Sequence, residues 1–320
     1  MKKQTRIAGI AAGVAIVGAA TAVGAAAELV FQAGLKRTTP KLVHKTKNDD
    51  PLNQKRDQAR KQLEQMPHEQ VYVTSRDGLR LNGHWFAVEG AKRTVVLVHG
   101  WRSTWARDFG MHAPFLLAAG CNLLLIEQRS HGTSEGKYIG FGVLERYDCL
   151  RWLDFLRIKT GNTLPVYLFG VSMGAATVLM TTGFHLPPCV KGVIADCGFT
   201  SPEEILTHVM RQQYPKYPRR FNRLIDAKAL RRAGYGAADY STLDAMAVNR
   251  IPVLFIHGAK DNFVPLSMTV RNYEACKAPK SILVVDDAPH AKSYLVAPEL
   301  YEQTVKAFFH RCEEAGKTKE

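Results

Sequence analysis

The residues best placed to do chemistry are a serine, an aspartate and a histidine, far apart in the chain but alike in setting. Ser172 lies in Gly170-Val171-Ser172-Met173-Gly174, between the short apolar run PVYL and the helix-prone TVLM. A packing corner between strand and helix needs small residues but no serine. A nucleophile needs both, because glycines let the turn tighten and hold the hydroxyl at the end of the strand. A serine hydroxyl is a weak nucleophile at neutral pH and requires a base, usually a histidine oriented by a carboxylate. His290, in VVDDAPHAKSY, and Asp261, in HGAKDNFVP, each follow a strand-like apolar run. The chain order serine, acid, histidine is the one a G-x-S-x-G turn calls for. The developing oxyanion needs backbone N–H donors. Met173, directly after the serine, and Trp101, in LVHGW, are the candidates.

Other residues stay open as alternatives. Asp196 follows another strand-like run and could replace Asp261 as the acid, with Asp261 then capping a helix. Asp286 and Asp287 stand too close to His290 in sequence to orient it. His99, His131 and His257 each precede a glycine, and loop hydrogen bonding explains them better than metal ligation or spare bases. Gly140-Phe141-Gly142 follows no strand and lacks the third glycine of a dinucleotide fingerprint. No H-E-x-x-H or Cys/His spacing points to a metal, and no cofactor is expected.

The elements that must hold these residues are legible as rhythm. EQVYVT and LRLNGHWFAV alternate about Ser75-Arg76-Asp77-Gly78, the signature of a β-hairpin. From residue 94 short continuous apolar runs alternate with helical patterns: 94–98, 122–127, PVYLFG, VKGVIADCG, 251–257 and 281–286 are the strands. WARDFGMHAPFLLAAG, FGVLERYDCLRWLDFLRIKTG, MGAATVLMTTGF and EQTVKAFFHRCEE are the helices between and after them. This predicts an α/β fold with a mostly parallel central sheet and helices on both faces. The stretch of about 199–249 is too long for a simple crossover and reads as a small helical cap.

Ahead of the domain, expected over 67–320, lie three further segments. Residues 1–6 are a basic n-region and 7–31 are an apolar run, uncharged from Ile7 to Ala27. That run reads as a transmembrane anchor, with a cleavable signal as the rival because of Ala25-Ala26-Ala27. Residues 32–66 read as a polar basic linker with PLNQKRDQARKQLEQ helical. Lysines and arginines flank the run on both sides, which leans against export by the positive-inside rule. The short basic n-region has the form of an export signal, and the expectation is an extracytoplasmic domain on a single-pass anchor.

The chain has 320 residues, 46% hydrophobic and 22% charged, enough for a large core without disulfides. Its six cysteines show no paired spacing. The net charge is +14. Between Met210 and Arg232 eight lysines and arginines face one acid, Asp226. No nucleic-acid motif accompanies them, so nucleic acid is excluded as a partner. Two readings remain for this stretch: a lid helix with a solvated basic face, or a face that rests on anionic lipid or steers an anionic substrate.

Together VHGW, EQRSHGTSEG at 127–136, GVSMGAA, ADCGFTS at 195–201, HGAKDNFVP and APHAKSY resemble an α/β-hydrolase. The branch most similar is that of membrane-associated or secreted bacterial esterase-like and serine-aminopeptidase-like hydrolases. The resemblance covers roughly 69–311. It implies Ser172 as nucleophile, Asp261 as acid and His290 as base, acting on a small-molecule or lipid-like acyl substrate. It leaves ester, amide and a non-catalytic binding role to be separated.

Overall fold

The structure is a computed structural model and describes residues 23–37 and 50–317. Eight strands form one sheet in the order β1-β2-β4-β3-β5-β6-β7-β8. They are β1 (Glu69–Thr74), β2 (Arg80–Phe86), β3 (Arg93–Val98), β4 (Cys121–Ile126), β5 (Val166–Val171), β6 (Val190–Asp196), β7 (Val253–Gly258) and β8 (Lys280–Val285). The hairpin strands β1 and β2 pair antiparallel, β2 joins β4 antiparallel, and all other pairs are parallel.

Along the central strands successive side chains bury on opposite faces, the period-2 pattern of a strand. Val95 and Leu97 of β3 join a cluster with Phe109, Tyr301, Val305 and Phe309. Val96 and Val98 join another with Trp152, Leu156, Val178 and Met246. Both faces are dry, so these strands carry unbroken apolar runs. The first face is covered by α3 (Trp105–Phe109), α4 (Ala113–Ala118), α11 (Ser293–Val296) and α12 (Pro298–Lys317). The second is covered by α5 (Glu145–Thr160), α6 (Met173–Thr181) and α9 (Thr242–Val248). Helix α10 (Leu266–Ala275) packs against β7 and α9.

One expected helix is two. WARDFGMHAPFLLAAG breaks at Gly110 into α3 and α4, because Pro114 opens the second and α2 (Pro51–Gln65) crosses the break. A Cβ on Gly110 would stand 2.7 Å from the Ala59 carbonyl carbon. Between β6 and β7 the chain forms α7 (Pro202–Gln213), a 3₁₀ turn (Arg219–Phe221) and α8 (Asn222–Ala233) before α9. Helix α9 lies in the sheet-covering layer against α6 and α10.

The described parts of the segment 32–66, residues 32–37 and 50–66, do not run free of the domain. Residues 23–35 form helix α1, which buries Ala27, Phe31 and Leu35 against Met180, Ile225, Ala229 and Tyr235. Glu28 accepts hydrogen bonds from Lys228 at 2.9 Å and Arg232 at 2.6 Å. Helix α2 lies on α3, with Leu63 in the core. Of the apolar run 7–31, residues 7–22 lie outside the described residues, and 23–31 belong to α1 on the domain surface. Among the described residues no helix is long and apolar enough to cross a membrane.

Candidate active site

Ser172 sits where β5 turns into α6, with φ 57° and ψ −117°. This conformation is costly for a side-chain-bearing residue and persists only where the surroundings hold it. Two glycines do so. A Cβ on Gly170 would stand 2.1 Å from the Gly174 carbonyl oxygen, and one on Gly174 would stand 1.8 Å from the Val98 carbonyl oxygen. The Ser172 N–H donates to the Asp196 carbonyl at 2.8 Å, which ties the turn to β6. Ser172 occupies the N-cap of α6 but does not cap it with its side chain. Its hydroxyl faces His290 instead.

The structure brings Ser172, Asp261 and His290 together. His290 Nε2 lies 2.9 Å from Ser172 Oγ, and His290 Nδ1 lies 2.6 Å from Asp261 Oδ2. Asp261 Oδ1 accepts the backbone N–H groups of Phe263 and Val264 at 2.9 and 2.8 Å. Burial alone would push the Asp261 carboxyl up. Hydrogen bonds from His257, His290 and the Val264 N–H outweigh it and hold the carboxyl well below the usual range. An ionised Asp261 accepts a hydrogen bond from His290 Nδ1–H, which fixes the proton on Nδ1 and leaves Nε2 free to accept from Ser172.

His257, read from sequence as a loop histidine, does more. It is fully buried, with Nε2 2.9 Å from the Val264 carbonyl and 3.3 Å from Asp261 Oδ2. Two acceptors face that nitrogen, so it carries a proton. Its Nδ1 lies 2.7 Å from Thr269 Oγ1. His257 thus clamps the far side of the carboxylate that orients His290, and it is a positioning residue. Its spacing of four from Asp261 across a strand end was the only hint in the sequence. His257→Gln is expected to lower kcat about tenfold with KM little changed, the order of one hydrogen bond to a charged group. Steady-state kinetics on an ester check this, and a loss confined to KM would contradict it.

Asp196 does not face His290 as a hydrogen-bond partner. Its Oδ2 accepts from Tyr301 Oη at 2.9 Å, and Oδ1 is buried with no partner among the described residues. Burial lifts this carboxyl to about 6. The unfolded chain releases that proton near 4 and the folded protein near 6. Ionisation in the unfolded state alone therefore costs the parent stability as pH rises from 4 to 6. Asp196→Asn escapes this cost. Relative to the parent it should gain on the order of 3 kcal/mol between pH 4 and 7 in urea unfolding. A pH-independent difference would refute the assignment.

The loop after β3 carries the second candidate oxyanion donor, the Trp101 N–H. A Cβ on Gly100 would stand 3.3 Å from Ser172 Cβ, so this loop lies against the serine. Among the described residues no acceptor pairs with the Trp101 or Met173 N–H, and Met173 begins α6. Helix N-termini leave such groups unpaired and favour negative charge there. The loop is pinned from three sides. Asp108 Oδ2 accepts the Gly100 N–H at 2.7 Å, and Asp108 is in turn bonded to Arg56 of α2. His131 Nε2 accepts the Arg102 N–H at 3.0 Å. Carbonyls at and just past the end of α1 hold the third side: Trp101 Nε1 donates to Gly34 at 2.9 Å, and the Arg102 guanidinium donates to Ala33 and Lys36. Asp108, Arg56 and residues 33–36 carried no motif, because their role depends on contacts with a loop distant in sequence.

His99 serves loop hydrogen bonding, with Nδ1 at the Gly100 carbonyl and Nε2 accepting the Gln128 N–H. Gly140 and Gly142 bond through their N–H groups to buried Glu145. Among the described residues one set of potential metal donors converges within 4.8 Å: Cys197, Asp261 and His290. Asp261 and His290 are engaged with each other, and burial pushes the Cys197 thiol well up, which disfavours the thiolate a metal requires. Beside Ser172 an apolar cluster gathers Met173, Ile139, Phe199, Ile205, Val264 and Met268, with Trp101, Phe141 and Phe263 packed on it.

A family model described as the alpha/beta hydrolase family matches residues 95–304. The uncharacterized protein YqkD of Bacillus subtilis is 31% identical over 249 residues, covering 77% of this chain and 80% of that one. The alpha/beta hydrolase domain-containing protein WAV2 of Arabidopsis thaliana is 24% identical over 252 residues, 76% of this chain and 79% of that one. Among solved structures the esterase Pf2001 of Pyrococcus furiosus superposes with a TM-score of 0.63 at 24% identity, over 84% of this chain and 96% of that one. Est1E of Butyrivibrio proteoclasticus, solved with ferulic acid, gives 0.60 at 18% identity, over 76% and 99%. At these identities the structural likeness speaks for the fold.

Proposed function

The chain belongs to the alpha/beta hydrolase family, and from that premise we propose that it is a serine hydrolase cleaving carboxylic esters. The observation that carries this reading is the continuous line from Asp261 through His290 to Ser172, at 2.6 and 2.9 Å. In this reading Ser172 Oγ attacks the acyl carbonyl as His290 Nε2 takes its proton. Asp261 stabilises the imidazolium that forms. The Met173 and Trp101 N–H groups receive the oxyanion. His290 passes the proton to the departing alkoxide, which leaves as an alcohol and an acyl-serine. A water then gives a proton to His290 and attacks the acyl group. Collapse releases the acid and returns the proton to Ser172.

The apolar cluster beside Met173 suits an apolar acyl group, whether the substrate is an ester or an amide. Ester is favoured because the Pyrococcus neighbour is titled an esterase. A matched panel of esters and anilides separates the two. A fluorophosphonate probe tests the reading without assuming a substrate, because it labels only an activated serine. Labelling of the full chain that disappears in Ser172→Ala and in His290→Ala is the expected result. A folded parent that resists the probe would overturn it, and would favour a hydrolase-shaped binding protein.

A further inference from the structure

We propose that the outer side of the cap, with helix α1 laid along it, is a docking surface for anionic lipid. Helices α1 and α8 lie side by side and spend their inward faces on each other and on the domain. Ala27 and Phe31 bury with Ile225 and Ala229, and Glu28 binds Lys228 and Arg232. The faces turned away from this cluster are unusually apolar. Leu29 is 60% exposed and Leu230 59%, with Leu224 and Val23 also exposed. Single exposed leucines are ordinary, but several on two adjoining helices mark an interaction surface.

Cations border these side chains. Arg219 pairs with Glu203, while Lys228 and Arg232 pair with Glu28. Arg211, Lys216, Arg220, Arg223 and Arg231 are exposed and have no carboxylate partner among the described residues. On α8, Arg223, Ala227, Leu230 and Arg231 recur at i, i+4, i+7 and i+8, which places them along one exposed stripe. Exposed aliphatic side chains interleaved on α8 with arginines that have no carboxylate partner among the described residues match the boundary between acyl chains and phosphate headgroups. Each cation near an anionic surface strengthens binding about fivefold. RNA would use the arginines but gain little from Leu29, Leu224 and Leu230, since single strands are held by aromatic stacking. The chain outside the described residues agrees with lipid: the sequence leading into α1 is uncharged back to Ile7.

The test uses the full chain reconstituted with vesicles of phosphatidylcholine, with or without phosphatidylglycerol. In a Cys189→Ser background, an environment-sensitive dye is attached at Leu230→Cys, or at Ile158→Cys as a control. Ile158 on α5 is 78% exposed and away from the cap. The expected result is a blue shift at 230, strengthened by phosphatidylglycerol and quenched by bilayer-embedded quenchers, with none at 158. Arg220→Glu, Arg223→Glu and Arg231→Glu together should reduce the shift at least tenfold on titration with anionic vesicles. The corresponding triple glutamine variant serves if reversal perturbs folding. Equal spectra at the two sites, insensitivity to both triple variants, or a shift without vesicles would overturn the proposal; the last would point to a second protein copy.

Discussion

Ser172→Ala should lower kcat for ester hydrolysis by about 10⁴- to 10⁶-fold while leaving the melting temperature close to that of the parent. The Ser172 hydroxyl donates to Nε2 of His290, which is itself partly exposed, so its loss strands no fully buried acceptor. The backbone strain of the turn is unchanged, because alanine bears the same Cβ at φ 57° and the two glycines still enclose it. His290→Ala should cost about as much, and the double variant little more than either alone. Residues that act as one unit lose their joint contribution with the first removal. Kinetics on an activated ester with circular dichroism alongside decide it. A residual rate within about tenfold of the parent, or additive losses, would remove Ser172 from the mechanism.

Asp261→Asn should cost about 10⁴-fold in kcat at neutral pH with KM nearly unchanged. The reason lies in which atoms face which. Two backbone N–H groups, from Phe263 and Val264, fix an acceptor at Oδ1. An asparagine must therefore set its carbonyl there and turn its NH₂ toward His290 Nδ1. That nitrogen then accepts, Nε2 carries the proton, and the ring cannot take one from Ser172. The wild-type carboxyl is held well below the usual range, so its own protonation should leave no trace in the rate profile above about pH 4. Asp196→Asn supplies the contrast. Asp196 answers to Tyr301, and its replacement should keep turnover within about tenfold of the parent. If Asp196→Asn were the inactive variant and Asp261→Asn the active one, the assignment of the acid would be reversed.

These two carboxylates show where reading the chain stops. Both follow apolar strands, and both strands end at the same edge of a parallel sheet, so each was eligible from order and position. Choosing between them required the packing of α12, which puts Tyr301 on Asp196, and the fold of the 257–264 loop, which wraps two N–H groups and a second histidine around Asp261. The same limit explains His257. A histidine before a glycine at a strand end has many ordinary uses, and its contact with Asp261 exists only because that loop returns on itself.

The sequence by itself determined the alternation of strand and helix, the parallel sheet, and the strand-to-helix turn at Ser172. These follow from local physics: period-2 burial, continuous apolar runs for strands covered on both faces, and glycines where no Cβ fits. Pro114 is the local part of the split of one expected helix, but tertiary structure placed the break at Gly110, because the intruding atoms belong to α2, some fifty residues earlier. It also decided that residues 23–37 and 50–65 build on the domain. Residues 23–31 continue an apolar run and 50–65 are polar like a linker, yet the end of α1 and the middle of α2 close the loop beside Ser172. Local patterns record what a residue does to its own backbone. They carry no record of which distant carbonyl a tryptophan or arginine will reach, and the Trp101 loop is held by such contacts.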